Sequence, residues 1–196
     1  MGKALRDARA EKICGMAVRM TSKLSGGLEI AGGIALAIAA EPIHEAGHAV
    51  AARMFTGAWP RFGLWAVHPT GQFESAGAIL AVLVAGDAAV IGWWALVYLI
   101  ARRRPEHRWA LIGPTFMAGL ALLNWFAVPL LAPFGQSGWG ASDAVKFMSI
   151  SGLPWYVLAV CVAVAALAVM VPSVKCLAAE TAAERSFVAR SWRSPG

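Results

Sequence analysis

AGAILAVLVAGDAAVIGWWALVYLIA, running from Ala76 to Ala101, contains one charged residue, Asp87, in a stretch long enough to carry a helix through a bilayer. Lipid offers no hydrogen-bond partner to a backbone N–H or C=O, so such a segment must satisfy its own backbone, which a helix does. The run is too long and too unalternating for a barrel strand. Three further blocks of the same kind lie on either side of it, from about Leu28 to Phe55, Trp109 to Leu131 and Leu153 to Val171. Composition agrees: 59% of the 196 residues are apolar and 14% charged, well above the apolar share of ordinary soluble domains. The fold class expected is all-α, a polytopic membrane protein built as a bundle of about four transmembrane helices.

Charge is distributed in the same rhythm. The formal net charge is +6. Fourteen of the 17 Lys and Arg residues fall before the first block, in the connector Arg102, Arg103, Arg104 and Arg108, or after the fourth block, whereas Arg53, Arg61 and Lys146 lie on the other side. By the positive-inside rule this asymmetry places both termini and the second connector in the cytoplasm of a multi-pass protein, with the cell (inner) membrane as its expected location. The basic balance is thus read as topology and not as a nucleic-acid surface, and the bilayer is the first expected partner. Cys14, Cys161 and Cys176 are odd in number and unpatterned, which points to neither a disulfide framework nor a Cys-rich metal site. Residues 1–27 read as a basic N-terminal arm, 28–171 as the transmembrane domain and 172–196 as a basic C-terminal tail. A signal peptide cut near Ala37-Ile38-Ala39 is disfavoured, because apolar character resumes beyond it through Phe55.

Between the blocks, Thr56–Glu74 mixes Trp59, Phe62, Leu64, Trp65 and Val67 with Gly57, Pro60, Gly63, Pro69 and Gly71. This pattern suggests a loop against the membrane interface, with room for a short hairpin. The other outer connector, Ala132–Gly152, has a Gly-rich run at Gly135–Gly140 followed by Ser142-Asp143, a pair suited to capping a short helix.

The first block carries His44-Glu45-Ala46-Gly47-His48. Two histidines four apart on a helix project from one face, one turn apart, as two imidazoles on one zinc ion require. Glu45 stands beside the metal so placed, where its carboxylate can take a proton from water instead of ligating. An ionisable group near the middle of a spanning helix costs roughly 2.5–3.5 kcal/mol, so a cluster of Glu41, His44, Glu45 and His48 there calls for a partner, here a Zn2+ ion in a polar metal site near one side of the membrane. Glu41 is either a partner that orients an imidazole or the polar edge of a turn kinked by Pro42.

Glu41 to Gly57, followed by Pro60-Arg61-Phe62, resembles the motif helix of the site-2 proteases, intramembrane zinc metalloproteases of the peptidase M50 group, over about 35 residues. The resemblance implies a metalloendopeptidase that cuts transmembrane or near-membrane segments of protein substrates, with Glu45 as general base and His44 and His48 as ligands. It also implies a later Asn, Pro and Asp-Gly pattern, matched in order by Asn124, Pro129, Pro133 and Asp143. Asn124 then becomes a substrate-binding residue and Asp143 the third ligand. Asp143 is followed by Ala144 instead of Gly, and Asp87 follows Ala85-Gly86 where the family has Pro. The family also presents this helix with its C-terminal end toward the cytosol, opposite to the charge reading.

Depth along the helices ranks the third ligand independently. At 1.5 Å per residue, His44 and His48 lie roughly 24–30 Å from Leu28, close to the outer boundary, whereas Asp87 lies roughly 16 Å down the second helix from that side. Asp143 is therefore preferred to Asp87, with His68 and Glu74 as further candidates. The function expected is zinc-dependent intramembrane proteolysis. The alternatives are a zinc transporter or metal-binding membrane protein, or a family member without activity. The oligomeric state is left open.

Overall fold

A computed structural model of the chain describes residues 27–63, 67–131 and 142–191. The N-terminal arm and the Gly-rich run at 135–140 lie outside them. Five helices follow in chain order: α1 (Gly27–Thr56), α2 (Ala76–Arg103), α3 (Ile112–Leu131), α4 (Asp143–Ser151) and α5 (Trp155–Ser191). Among the described residues four stretches are long and apolar enough to cross a membrane, namely Gly27–Thr56, Ala76–Arg103, Glu106–Val128 and Trp155–Ala179. This is the all-α bundle expected from the apolar blocks.

Local chemistry explains where the helices bend and stop. In α1 a turn at Ala39 precedes the regular segment Ala40–Thr56. Pro42 has no N–H to offer Ile38, and its ring crowds that carbonyl, so the helix loosens just ahead of it. The neighbouring bonds persist: Ala39 N–H reaches the Ala35 carbonyl at 2.9 Å and Ile43 N–H reaches that of Ala39 at 3.3 Å. The helix ends at Gly57, whose φ of 71° is the left-handed conformation that lets its N–H close on the Arg53 carbonyl. Ser75 caps α2 by accepting from Ala78 N–H, and Ser142 caps α4 by accepting from Val145 N–H, the cap that the Ser142-Asp143 pair suggested. The interfacial connector forms a small antiparallel hairpin of β1 (Arg61–Phe62) and β2 (Val67–His68), with Arg61 opposite His68 and Phe62 opposite Val67.

The last helix is longer than the fourth apolar block: α5 continues beyond Val171 through Pro172 to Ser191. Beyond the proline, Ser173 is fully buried, and its hydroxyl donates to the Val169 carbonyl while accepting from Trp94 Nε1 at 3.0 Å and Thr115 Oγ1 at 3.1 Å. That junction fastens α5 to α2 and α3 just past the proline, and a run rich in alanine extends the helix from there.

α2 touches every other helix. Its buried positions Val90, Trp94, Val97 and Ala101 recur at helical spacing and meet Ala118, Leu122 and Trp125 of α3 and Leu158, Val162 and Val169 of α5. The opposite faces are also apolar. Val160, Val164, Leu167, Val171 and Val174 form an exposed stripe along α5, as a helix packed on protein on one side and lipid on the other requires. Short α4 packs on α2 and α3, which brings its first residue, Asp143, beside His48 of α1.

Candidate metal centre

His44 and His48 sit one turn apart on α1, and each ring is fixed by its Nδ1 atom. His48 Nδ1 donates to the Val82 carbonyl of α2 at 2.7 Å. His44 Nδ1 faces Asp87 Oδ1 of α2 at 3.4 Å. A carbonyl and a carboxylate can only accept, so both Nδ1 atoms carry hydrogen, and in the neutral rings both Nε2 atoms carry bare lone pairs. Those two Nε2 atoms are 3.0 Å apart, and Asp143 Oδ2 stands 3.3 Å from His48 Nε2. Two lone pairs and a carboxylate oxygen converging without a donor repel one another unless a cation lies between them.

All three donor atoms lie within 4.8 Å of one another. Ligands about 2.0–2.2 Å from a tetrahedral zinc ion are roughly 3.3–3.6 Å apart, so the set needs only small adjustments to hold one. The donor chemistry, two imidazoles and one carboxylate, is that of an open zinc site with a fourth position free for water. The residues therefore fit the metal expected from the motif.

The carboxylates divide the work by position. Asp143 approaches His48 from α4, and its other oxygen is 3.7 Å from Lys146 Nζ. Desolvation by burial pushes the Asp143 carboxyl up, but when His48 is protonated the hydrogen bond and charge of that ring, together with the charge of Lys146, outweigh it and hold the group below its usual range. Asp87 instead grips the far nitrogen of His44 and accepts a hydrogen bond from Trp125 Nε1 of α3. This is the carboxylate–histidine arrangement that fixes a ligand's tautomer and orientation. The depth argument set Asp87 apart from the histidines, and that separation does not hold, because Asp87 contacts His44, the deeper of the pair. Glu41 makes no such contact; it is exposed and lines a small cavity beside Asp87 and His44.

Close approach of α1 and α2 makes this geometry available. A Cβ on Gly47 would collide with the Ala85 carbonyl, and one on Gly86 would collide with His48 Nε2 and His44 Cε1. Glycine at both positions lets α2 lie against the imidazoles. The resulting cavity, about 460 Å³, is lined by His44, Glu45, His48 and Asp143, by Lys146, and by Val67, His68 and Pro69 of the hairpin. Glu45 Oε2 is buried there and has no hydrogen-bond partner among the described residues. Asn124 lies exposed on α3 and is not among the residues lining this cavity, although its neighbour Trp125 holds Asp87. Glu74 is likewise outside the lining.

Sequence reasoning missed Trp125, Lys146 and the Val82 carbonyl. Lys146 had a detectable signal, lying three residues after Asp143 on the same helix face. Nothing in the sequence marks the other two, which depend on how helices cross.

The architecture and this cluster together define a helical bundle with four membrane-length helices among the described residues and a part-buried His-His-Asp constellation. No protein-family model matches the chain, and no curated protein or solved structure matches it either.

Proposed function

We propose that this chain is a zinc-dependent intramembrane endopeptidase, hydrolysing peptide bonds in or near the transmembrane segments of other proteins. The observation that carries the reading is the convergence of His44 Nε2, His48 Nε2 and an Asp143 oxygen on one cavity that also holds the unpartnered Glu45 carboxylate. Bound zinc would supply Lewis acidity, polarising the attacking water and the scissile carbonyl. His44, His48 and Asp143 hold the ion. Asp87, Trp125 and the Val82 carbonyl keep the two imidazoles facing it. Glu45 takes the proton from the attacking water and delivers it to the departing amine, a role open to a carboxylate whose oxygen is engaged by no other group.

A transporter reading has less support. Beyond Asp87, the interior of α2 is built of Val90, Trp94, Val97 and Ala101, which offer an ion no ligands on its way across. The resemblance of the motif helix to the site-2 proteases points to the same chemistry as the cavity. Chelation of the purified protein should abolish cleavage of a membrane-spanning test substrate, and about one equivalent of zinc should restore it. Cleavage that survives complete removal of metal would refute the zinc-hydrolase reading.

The hairpin belongs to the same proposal. A substrate helix hides its carbonyls in hydrogen bonds and must be extended locally before water can attack, and a strand edge beside the cavity stabilises the extended form. Val67 and His68 of β2 line the cavity, which supports that role. Val67→Pro should lower cleavage severalfold while leaving zinc content unchanged; unchanged cleavage would reduce the hairpin to an interfacial anchor.

For orientation, the fourteen-to-three division of basic residues favours a cytoplasmic Arg102–Arg104 connector and an outward-facing metal site. Cysteines introduced into that connector should react with an impermeant reagent only after the cells are opened. Labelling in intact cells would reverse the assignment.

A further inference from the structure

A second polar cavity lies at the other end of the bundle. Arg102 is about 30 Å along α2 from Val82, on which His48 is anchored. Tyr98 and Arg102 are one turn apart on α2, Val171 and Lys175 are one turn apart on α5, and Arg108 enters from the 3-10 segment Pro105–Leu111 that joins α2 to α3. Together they border a space of about 420 Å³.

Among the described residues no acidic side chain lines it. Among the described residues no carboxylate pairs with Arg102, Arg108 or Lys175, and Glu106, the acid closest to them in sequence, is engaged by Arg104 at 3.8 Å. Arg108 Nε is buried with no acceptor among the described residues. A buried guanidinium N–H without a partner is costly, and three cations around one space repel one another, so the cavity suits an anion. The position selects its kind. Arg102 stands at the end of a membrane-spanning helix, Arg108 in the connector, and Lys175 near the end of the span Trp155–Ala179, which puts the cavity at the depth of lipid headgroups. Guanidinium groups present paired donors that match phosphate oxygens, while Tyr98 and Val171 offer an apolar wall for the carbon chain attached to them.

We propose that this cavity binds a phosphate group, presented by the headgroup of an anionic phospholipid and anchored by Arg108, Arg102 and Lys175. Free inorganic phosphate carries the same oxygens, and the experiment separates the two sources. The full chain, purified in detergent, is incubated with phosphatidylglycerol or phosphatidylcholine and its retained lipid read by native mass spectrometry, while its melting temperature is followed with added inorganic phosphate. The intact protein should retain phosphatidylglycerol in preference to phosphatidylcholine, and Arg108→Gln or Lys175→Gln should weaken retention about tenfold, as loss of one charge-assisted hydrogen bond implies. Arg104→Gln, which alters a cation outside the cavity, should leave retention unchanged. A melting shift with inorganic phosphate that disappears in the same variants, without lipid preference, would assign the site to soluble phosphate. If Arg108→Gln fails to fold, exposed Lys175 and the charge-preserving Arg108→Lys decide the matter. Equal retention of both lipids with no response to phosphate, or responses that persist in Arg108→Gln and Lys175→Gln, would overturn the proposal.

Discussion

Glu45→Gln is expected to reduce cleavage of a membrane-spanning substrate by about 10²–10⁴-fold, the range associated with losing a positioned acid–base group, while zinc content stays at the parent level. The substitution preserves shape and removes only the ability to carry a proton. Glu45 Oε2 has no hydrogen-bond partner among the described residues, so the amide disrupts no internal bond and the fold should be kept. Metal should be retained because the converging donors are His44, His48 and Asp143. Metal analysis and a cleavage assay on the same preparation separate the outcomes. Equal cleavage by variant and parent would remove Glu45 from the mechanism, and loss of zinc would make it a ligand.

Asp143→Ala should show the opposite pattern, with both metal and activity lost. It removes the anionic member of the donor set and leaves two neutral imidazoles. Asp87→Asn is the informative comparison. Asp87 meets His44 at Nδ1, away from the converging donors, so its replacement should weaken metal affinity or activity by about 10–100-fold, as losses behind a ligand do. Asp143→Ala should cost more than that. Zinc titration by calorimetry or competition with a chelating dye reads both variants on one scale. If Asp143→Ala retains zinc while Asp87→Asn releases it, the two carboxylates have been assigned in the wrong order.

Much of the fold was legible because a bilayer imposes strict rules on sequence. The blocks around Leu28–Phe55, Ala76–Ala101, Trp109–Leu131 and Leu153–Val171 each correspond to a helix, since length and apolarity leave an exposed backbone no other conformation in lipid. Ends were less legible. The helix that carries the fourth block runs on through Pro172, where the buried Ser173 hydroxyl ties it to α2 and α3. The interfacial hairpin could be anticipated from its breakers, but its register could not, since two-residue strands carry too little alternation to define one.

The sequence by itself determined that His44 and His48 share a helix face with Glu45 beside them, because four residues make about one helical turn whatever the surroundings. It also narrowed the third donor to Asp143, Asp87, His68 and Glu74. Tertiary structure decided which of them stand beside the histidines. Asp143 approaches the histidines because α4, capped by Ser142, packs on α2 and α3, a contact across almost a hundred residues that no local spacing encodes. Asp87 reaches the back of His44 because glycines at 47 and 86 allow two helices to approach more closely than side chains would permit, a distance set by both partners at once. Periodicity along one helix is a property of covalent geometry, whereas the depth and angle at which helices meet follow from packing the whole bundle.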